Sequence, residues 1–396
     1  MLTLDKVFEA QSMLRGVLRE TKVVRAHGIA PECELYLKPE NLQITGSFKV
    51  RGAAYKIAML SQEERARGVV ACSAGNHAQG VALAATKSGI RSVICLPDAA
   101  PISKVEATKG FGAEVCLVEG CYDDAYARAL ELHEREGYTF VHPFDDENVI
   151  AGQGTIALEI LKDLDSIDAI VVPIGGGGLI SGIAYTVKQI RPSVKVYGVQ
   201  VAGAPSMVNA LREGKIGCLE GVSTIADGIA VKQPGENTFR LVRQYVDEVA
   251  LVTDDEVAGA ILALIEKQKM IAEGAGATAV AAVMARKFDL AGKRVVAVVS
   301  GGNIDVTSLS RVIDRGLLNS GRSSSLLIEL IDKPGQLKEI SRIIADCGGN
   351  VTGVHYEKGN TESVNGCFLR IEMETRDFDH VHLITRTLRD EGFKLV

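Results

Sequence analysis

The sequence predicts an α/β protein: two lobes of parallel twisted sheets with flanking helices, followed by a ferredoxin-like βαββαβ module. Three observations carry this. Between about residues 32 and 315, short β-branched runs alternate with longer amphipathic segments. A long helical stretch, 147–164, separates two sets of these runs, which argues for two lobes rather than one sheet. Finally, the polar run Asn319-Ser-Gly-Arg-Ser-Ser-Ser325 changes the composition before a final block of some seventy residues.

In order along the chain, strands are expected at 34–37, 69–72, 92–96, 114–118, 169–173, 194–199 and 294–300, where Val, Ile and Leu concentrate. Helices are expected at 76–87, 123–136, 147–164 and 255–270, where apolar residues recur at helical spacing. The C-terminal block reads as strand 325–331, an Asp332-Lys-Pro-Gly turn, helix 336–347, strands 351–355 and 366–374, helix 379–391 and a last strand. The expected domains are 1–318 (small lobe about 45–145, large lobe the remainder), a linker at 319–325, and a module at 325–396.

Composition narrows the function. The chain has 396 residues, 46% hydrophobic and 24% charged, with formal net charge −6. It lacks the basic footprint of a nucleic-acid binder, and its apolar runs are far shorter than a membrane span. Asp5 and Glu9 stand where a signal peptide would be basic and then apolar, so a cytoplasmic protein is expected. Eight scattered cysteines without a CxxC pair suit buried thiols in a reducing compartment. The histidines show no HxxxH or HExxH spacing, so no metal site is expected.

Four short motifs carry chemistry. In Ser47-Phe48-Lys49-Val50-Arg51-Gly52, Lys49 sits between apolar residues just after a Gly-Ser pair that reads as a helix start. A helix N-terminus disfavours an ammonium and helps keep the amine neutral, as a Schiff-base lysine requires; an ordinary structural lysine is the other reading. Ser73-Ala74-Gly75-Asn76-His77 follows a strand and precedes an apolar helix. It can offer N–H groups to a carboxylate, or it can be a capped turn with Ser73 or Asn76 as the cap. Gly175-Gly176-Gly177-Gly178-Leu179 also follows a strand and opens a helix. Four glycines in an ordered turn cost about 1 kcal/mol each against alanine, which a phosphate held by backbone N–H groups would justify. Ser300-Gly301-Gly302-Asn303 lies at the carboxyl end of an apolar strand, where open α/β sheets bind ligands, although Ser300 could equally cap a helix. The looser GxGxxA occurs at 152–157 and 274–279, but neither is placed as a strand-to-helix turn, so a dinucleotide site is weak.

Together and in this order, these motifs resemble the fold-type-II pyridoxal-phosphate enzymes, and among them the threonine ammonia-lyases (threonine dehydratases). Residues 325–396 resemble an ACT regulatory domain, with 332–337 matching its first turn. The resemblance implies pyridoxal 5'-phosphate bound covalently to Lys49, with Phe48 packed beside it and Asn76 bonded to its 3′ oxygen. It implies that Gly175, Gly176, Gly177, Gly178 and Leu179 hold the phosphate, and that Ser300 pairs with the ring nitrogen. Ser73, Ala74, Asn76 and His77 would receive the substrate carboxylate. Lys49 would then remove the Cα proton, and the β-hydroxyl would leave. A neutral Ser300 makes the ring a milder electron sink and favours elimination.

The implied reaction is deamination of L-threonine to 2-oxobutanoate and ammonia, and of L-serine to pyruvate, in a homo-oligomer (tetramer or dimer) with an amino-acid effector at the ACT module. One alternative is a serine or 3-hydroxyaspartate ammonia-lyase or racemase. Racemases of this kind carry serine where Ala74 stands, and a cation-binding carboxylate pair where Gln200 and Ser206 stand. A non-enzyme alternative is an amino-acid sensor with a degenerate catalytic lobe.

Overall fold

The structure is a computed structural model that describes residues 1–357 and 366–396. The chain divides into two compact units, Met1–Leu309 and Ser310–Val396.

In the first unit the β-branched runs form two sheets. A four-stranded parallel sheet has the order Glu114–Val118, Ser92–Pro97, Val69–Cys72, Thr139–Phe140. A six-stranded sheet has the order Val24–Arg25, Glu34–Pro39, Arg294–Val299, Ala169–Pro173, Lys195–Val201, Glu248–Val252, parallel except for its first pair. Val69–Cys72 and Ala169–Pro173 are buried along their whole length, as strands covered by helices on both faces must be. The two sheets are the two lobes expected from the sequence. Glu34–Pro39 precedes the small-lobe strands in sequence yet pairs with Arg294–Val299 in the large sheet, on the large-lobe side of the boundary expected at about residue 45. Only the parallel register, Glu34 beside Arg294 through Pro39 beside Val299, places it there, and hydrophobic pattern carries no information about that partner.

Two helices position the site. Glu147–Asp163 starts where Asp146 accepts from the N–H groups of Asn148 and Val149. It crosses the helix Lys49–Ala58 backbone to backbone: a Cβ on Gly152 would stand 2.7 Å from the Arg51 carbonyl oxygen. The 152–157 GxGxxA run lies inside this helix, and the 274–279 run opens the helix Gly274–Met284 from a loop, so neither is a dinucleotide turn. The helix expected over 255–270 spans Asp254–Ala263 and continues as a π-helical turn, Leu264–Gln268, which ends at Lys269 with φ +56°.

The second unit follows βαββαβ order, with strands Ser323–Ile331, Asn350–Glu357, Gly366–Glu374 and Lys394–Leu395. Its antiparallel sheet runs second, third, first, fourth, which is the ferredoxin-like arrangement. The helices Gln336–Asp346 and Phe378–Asp390 bury Ile340, Ile344, Ile384 and Leu388 with Ile328, Leu369 and Ile371 from the sheet. The polar stretch expected as linker at 319–325 is shorter than its composition suggests. Asn319 ends the helix Val306–Asn319, and Ser323 already pairs with Glu374. Backbone hydrogen bonds recruit the serines whatever their polarity.

Among the described residues, no helix is long and apolar enough to cross a membrane, and no cluster of three His, Cys, Asp or Glu side chains could hold a metal ion. All eight cysteines are free; Cys121 and Cys218 are exposed rather than buried.

Candidate active site

Segments far apart in sequence meet at one cavity. Its walls include Phe48, Lys49, Asn76, Gly175 through Leu179 and Ser300. Ser73, Ala74 and His77 do not form its walls.

Lys49 is the first residue of its helix, as expected, but the preceding Gly-Ser pair does not cap it. Ser47 instead forms a bridge with Gly301, and the cap residue is Phe48, whose N–H donates to the Ser300 carbonyl at 3.1 Å. The lysine is thereby tied to the carboxyl end of the strand Arg294–Val299. Its Nζ donates to the Pro143 carbonyl at 2.8 Å and lies 5.4 Å from the centre of the Phe48 ring. Burial pushes the ammonium pKa down to about 8, against the opposing pull of Glu273. At pH 7, therefore, about a tenth of this amine is unprotonated, rising to about half near pH 8.

The glycine turn is built by close packing as well as by backbone freedom. A Cβ on Gly176 would stand 2.4 Å from the Phe144 ring, and one on Gly178 would stand 2.9 Å from the Phe144 backbone. Gly177 has φ +99°, a conformation L side chains rarely adopt. Thr238 donates from Oγ1 to the Gly176 carbonyl at 2.6 Å and fixes the turn from outside. Among the described residues, no acceptor takes the N–H groups of Gly175, Gly176 and Gly177. Gly178 and Leu179 open the helix Gly178–Ile190, so their N–H groups have no intrahelical acceptor either. The result is a concave set of free donors at the positive end of a helix, suited to a phosphate.

At the start of the helix Asn76–Lys87, neither Ser73 nor Asn76 caps the chain. The cap residue is Gly75, with no side-chain bond, while Ser73 Oγ accepts from the Gly75 N–H at 3.1 Å. The helix N–H groups are thus left for an anion. The His77 ring takes no direct part in holding one: its Nε2 meets the Val141 carbonyl at 2.8 Å, and burial pushes its pKa down to about 3. An uncharged ring engaged elsewhere leaves the His77 backbone N–H as its contribution.

Ser300 is almost fully buried, and its Oγ donates to the Ala275 carbonyl at 3.3 Å. Asn76 donates from Nδ2 to Glu273 Oε1 at 2.6 Å and accepts at Oδ1 from Asn303 at 2.7 Å.

Sequence reasoning missed Phe144, Thr238, Gln153 and Glu273, all at or against the cavity. The signal for Glu273 was an acid inside a run of alanines and glycines, which reads equally as a helix cap. Burial pushes its carboxyl up to about 8, with Asp227 adding to the rise. A group whose pKa is higher folded than unfolded binds extra protons between the two values, so stability falls as pH rises through that window. For Glu273 the window runs from about 4.5 to about 8. In urea melts across it, Glu273→Gln is expected to flatten the decline; an unchanged slope would contradict a buried neutral carboxyl.

The residues present fit pyridoxal phosphate. They offer an amine for a Schiff base, free N–H groups for a dianionic phosphate, an amide for a phenolic oxygen and a hydroxyl for a ring nitrogen, all on one cavity.

Residues 14–301 match the family described as "Pyridoxal-phosphate dependent enzyme". The chain is 50% identical over 398 residues to the L-threonine ammonia-lyase of Thermotoga maritima, covering 100% of this chain and 99% of that one. Among solved structures, the processed form of threonine deaminase isoform 2 from Solanum lycopersicum is 38% identical with a TM-score of 0.74, covering 78% of this chain and 93% of that one. The serine racemase of Dictyostelium discoideum is 36% identical with a TM-score of 0.73, covering 77% and 99%. With the family match spanning most of the chain, and the amine, phosphate turn and hydroxyl converging on one cavity, the protein belongs to the pyridoxal-phosphate dependent enzyme family.

Proposed function

We propose that this protein is an ammonia-lyase that converts L-threonine to 2-oxobutanoate and ammonia, and L-serine to pyruvate and ammonia. The observation that carries the reading is a single amine, Lys49, whose pKa of about 8 suits a base, set in one cavity with the free N–H groups of Gly175 through Leu179. The full-length similarity to a protein named L-threonine ammonia-lyase supports the substrate.

Gly175 through Leu179 would hold the cofactor phosphate, Asn76 would donate to its phenolic oxygen, and Ser300 would meet its ring nitrogen. When bound, the cofactor supplies an electron sink for the substrate's α-carbon. The N–H groups of Asn76 and His77, with the Ser73 hydroxyl, orient the substrate carboxylate. Lys49 Nζ then removes the Cα proton, and the β-hydroxyl leaves. Phe144, Ile229 and Val231 give the cavity apolar walls that exclude water. One water is released in the elimination and one is consumed when the product enamine hydrolyses, so the net change is loss of ammonia.

The likeness to serine racemase supports a second reading, racemisation, which needs a proton carrier on the face opposite Lys49. Ala74 offers none. Gln200 and Ser206, which the resemblance sets against the racemase carboxylates, are buried and uncharged; Gln200 Nε2 lies 3.5 Å from Ser206 Oγ, and its Oε1 accepts from the Val208 N–H at 2.9 Å. Elimination on one face is therefore the favoured outcome.

The ferredoxin-like fold of the second unit supports a role as an ACT-type effector module in a homo-oligomer. Its 332–335 turn leads into the helix Gln336–Asp346 through Gly335 at φ +97°. A ligand that prefers one arrangement of the assembly would shift activity by its differential affinity.

One experiment tests both parts. Release of 2-oxo acid and ammonia is measured from L-threonine, L-serine and 3-hydroxyaspartate, with and without branched-chain amino acids, for the full chain and for a truncation after Asn319. Equal amounts of 2-oxobutanoate and ammonia from L-threonine, with an effector response confined to the full chain, are expected. D-Serine accumulating from L-serine without oxo acid would favour racemisation. A truncation that kept every effector response would remove the regulatory role.

A further inference from the structure

The polar groups around Asn76 form a chain whose directions follow from one another. The Thr45 carbonyl can only accept, so the Asn303 atom 2.7 Å from it is the amide nitrogen. That nitrogen also donates to Asn76 Oδ1 at 2.7 Å and lies 3.4 Å from Gln79 Oε1. Asn76 Oδ1 is thereby fixed on the Asn303 side, and Asn76 Nδ2 faces Glu273 Oε1 at 2.6 Å. The fold makes room for this pair. A Cβ on Gly301 would lie 2.2 Å from Glu273 Oε1 and 3.2 Å from Asn76 Nδ2, so the first glycine of the Ser300–Asn303 motif is required here. The same glycine accepts the Glu273 N–H at 3.1 Å and holds the acid's backbone against the site.

An asparagine amide has two N–H groups, and Glu273 takes one. We propose that Glu273 and Asn303 are positioning residues that clamp the Asn76 amide and fix its second N–H toward the cofactor's phenolic oxygen. Without the clamp, rotation of the amide by half a turn would present its carbonyl oxygen to that oxygen, replacing a hydrogen bond with repulsion between lone pairs. Glu273 supplies an acceptor on one side and Asn303 a donor on the other, so only one orientation satisfies both. The inference rests on the role proposed above for Asn76.

The test titrates apoenzyme with pyridoxal 5'-phosphate and reads both the dissociation constant and the visible absorption maximum of the bound form. Asn76→Ala, Glu273→Ala and Asn303→Ala are each expected to weaken binding by about three- to tenfold and to shift the maximum, as loss of one hydrogen bond does. Glu273→Gln keeps an acceptor oxygen and is expected to stay within about threefold of the parent. The double variant Asn76→Ala/Glu273→Ala is expected to bind no more weakly than Asn76→Ala alone, because both changes remove the same contact. Additive losses, or Glu273→Ala and Asn303→Ala with the parent's affinity and spectrum, would overturn the clamp while leaving Asn76 in place. An Asn76→Ala variant with the parent's affinity and spectrum would overturn the role of Asn76 and the clamp together. If Glu273→Ala fails to fold, Asn303→Ala decides: weaker binding with a shifted maximum supports the clamp, and parent-like values overturn it.

Discussion

Replacing Lys49 with alanine is expected to lower 2-oxo acid formation by about 10⁴-fold or more, because in the proposed mechanism one side chain serves as both covalent anchor and proton acceptor. Two observations support both proposed uses. The amine begins a helix pinned to the large sheet through the bond from Phe48 to Ser300, and its lowered pKa leaves it partly neutral near physiological pH. Lys49→Arg is expected to fail as completely, since a guanidinium cannot be deprotonated in a protein. Both variants are expected to melt within a few degrees of the parent apoprotein, which separates loss of chemistry from loss of fold. Activity of Lys49→Ala within tenfold of the parent would contradict the assignment.

The second large effect lies two residues further on. Arg51 is buried and makes paired bonds to Glu40 at 2.7 and 2.8 Å and to Glu159 at 2.6 and 2.9 Å. Lys38, also buried, completes the cluster with bonds to Glu159 and to the Thr21 carbonyl. Burial alone would lower the pKa of Arg51, but the two carboxylates beside it raise it. Glu40 has its pKa held below the usual range by Arg51, against the opposing effect of burial. Arg51→Met leaves the buried carboxylate of Glu40 and the partly buried one of Glu159 facing one ammonium, and such a break costs about 3–5 kcal/mol. Chemical denaturation of the apoprotein is expected to show that loss. Arg51→Met combined with Glu40→Leu is expected to cost less than Arg51→Met alone, because the orphaned charge goes with its partner. A loss below about 1 kcal/mol for Arg51→Met would show that the cluster is not a coupled unit.

Much of this was legible in the sequence, for identifiable reasons. The strands 69–72, 114–118 and 169–173 are bounded as expected, because apolar runs there end abruptly at glycine, proline or polar residues. The helix Asn76–Lys87 was legible in full, because its apolar face is continuous. The motifs of the cavity were legible because each is local: a lysine, a glycine turn and a serine announce their chemistry within a few residues.

What escaped is non-local. Glu34–Pro39 joins the far sheet through a partner some 260 positions away, and nothing in its own pattern names Arg294–Val299. Glu273, Glu40 and Lys38 are charged residues whose burial depends on partners from other elements, so each reads in isolation as a solvated charge. Phe144 is another such case, an ordinary aromatic until the glycines of residues 175–178 are seen packed upon it.

The most direct test of the account is to reduce the holoenzyme with borohydride, digest it, and locate the pyridoxyl group by mass spectrometry. A single modified peptide containing Lys49 is expected, with the visible band lost in step with its formation. The group found on another lysine, such as the buried Lys38 or Lys104, which bonds to Asp227, with Lys49 unmodified, would contradict it.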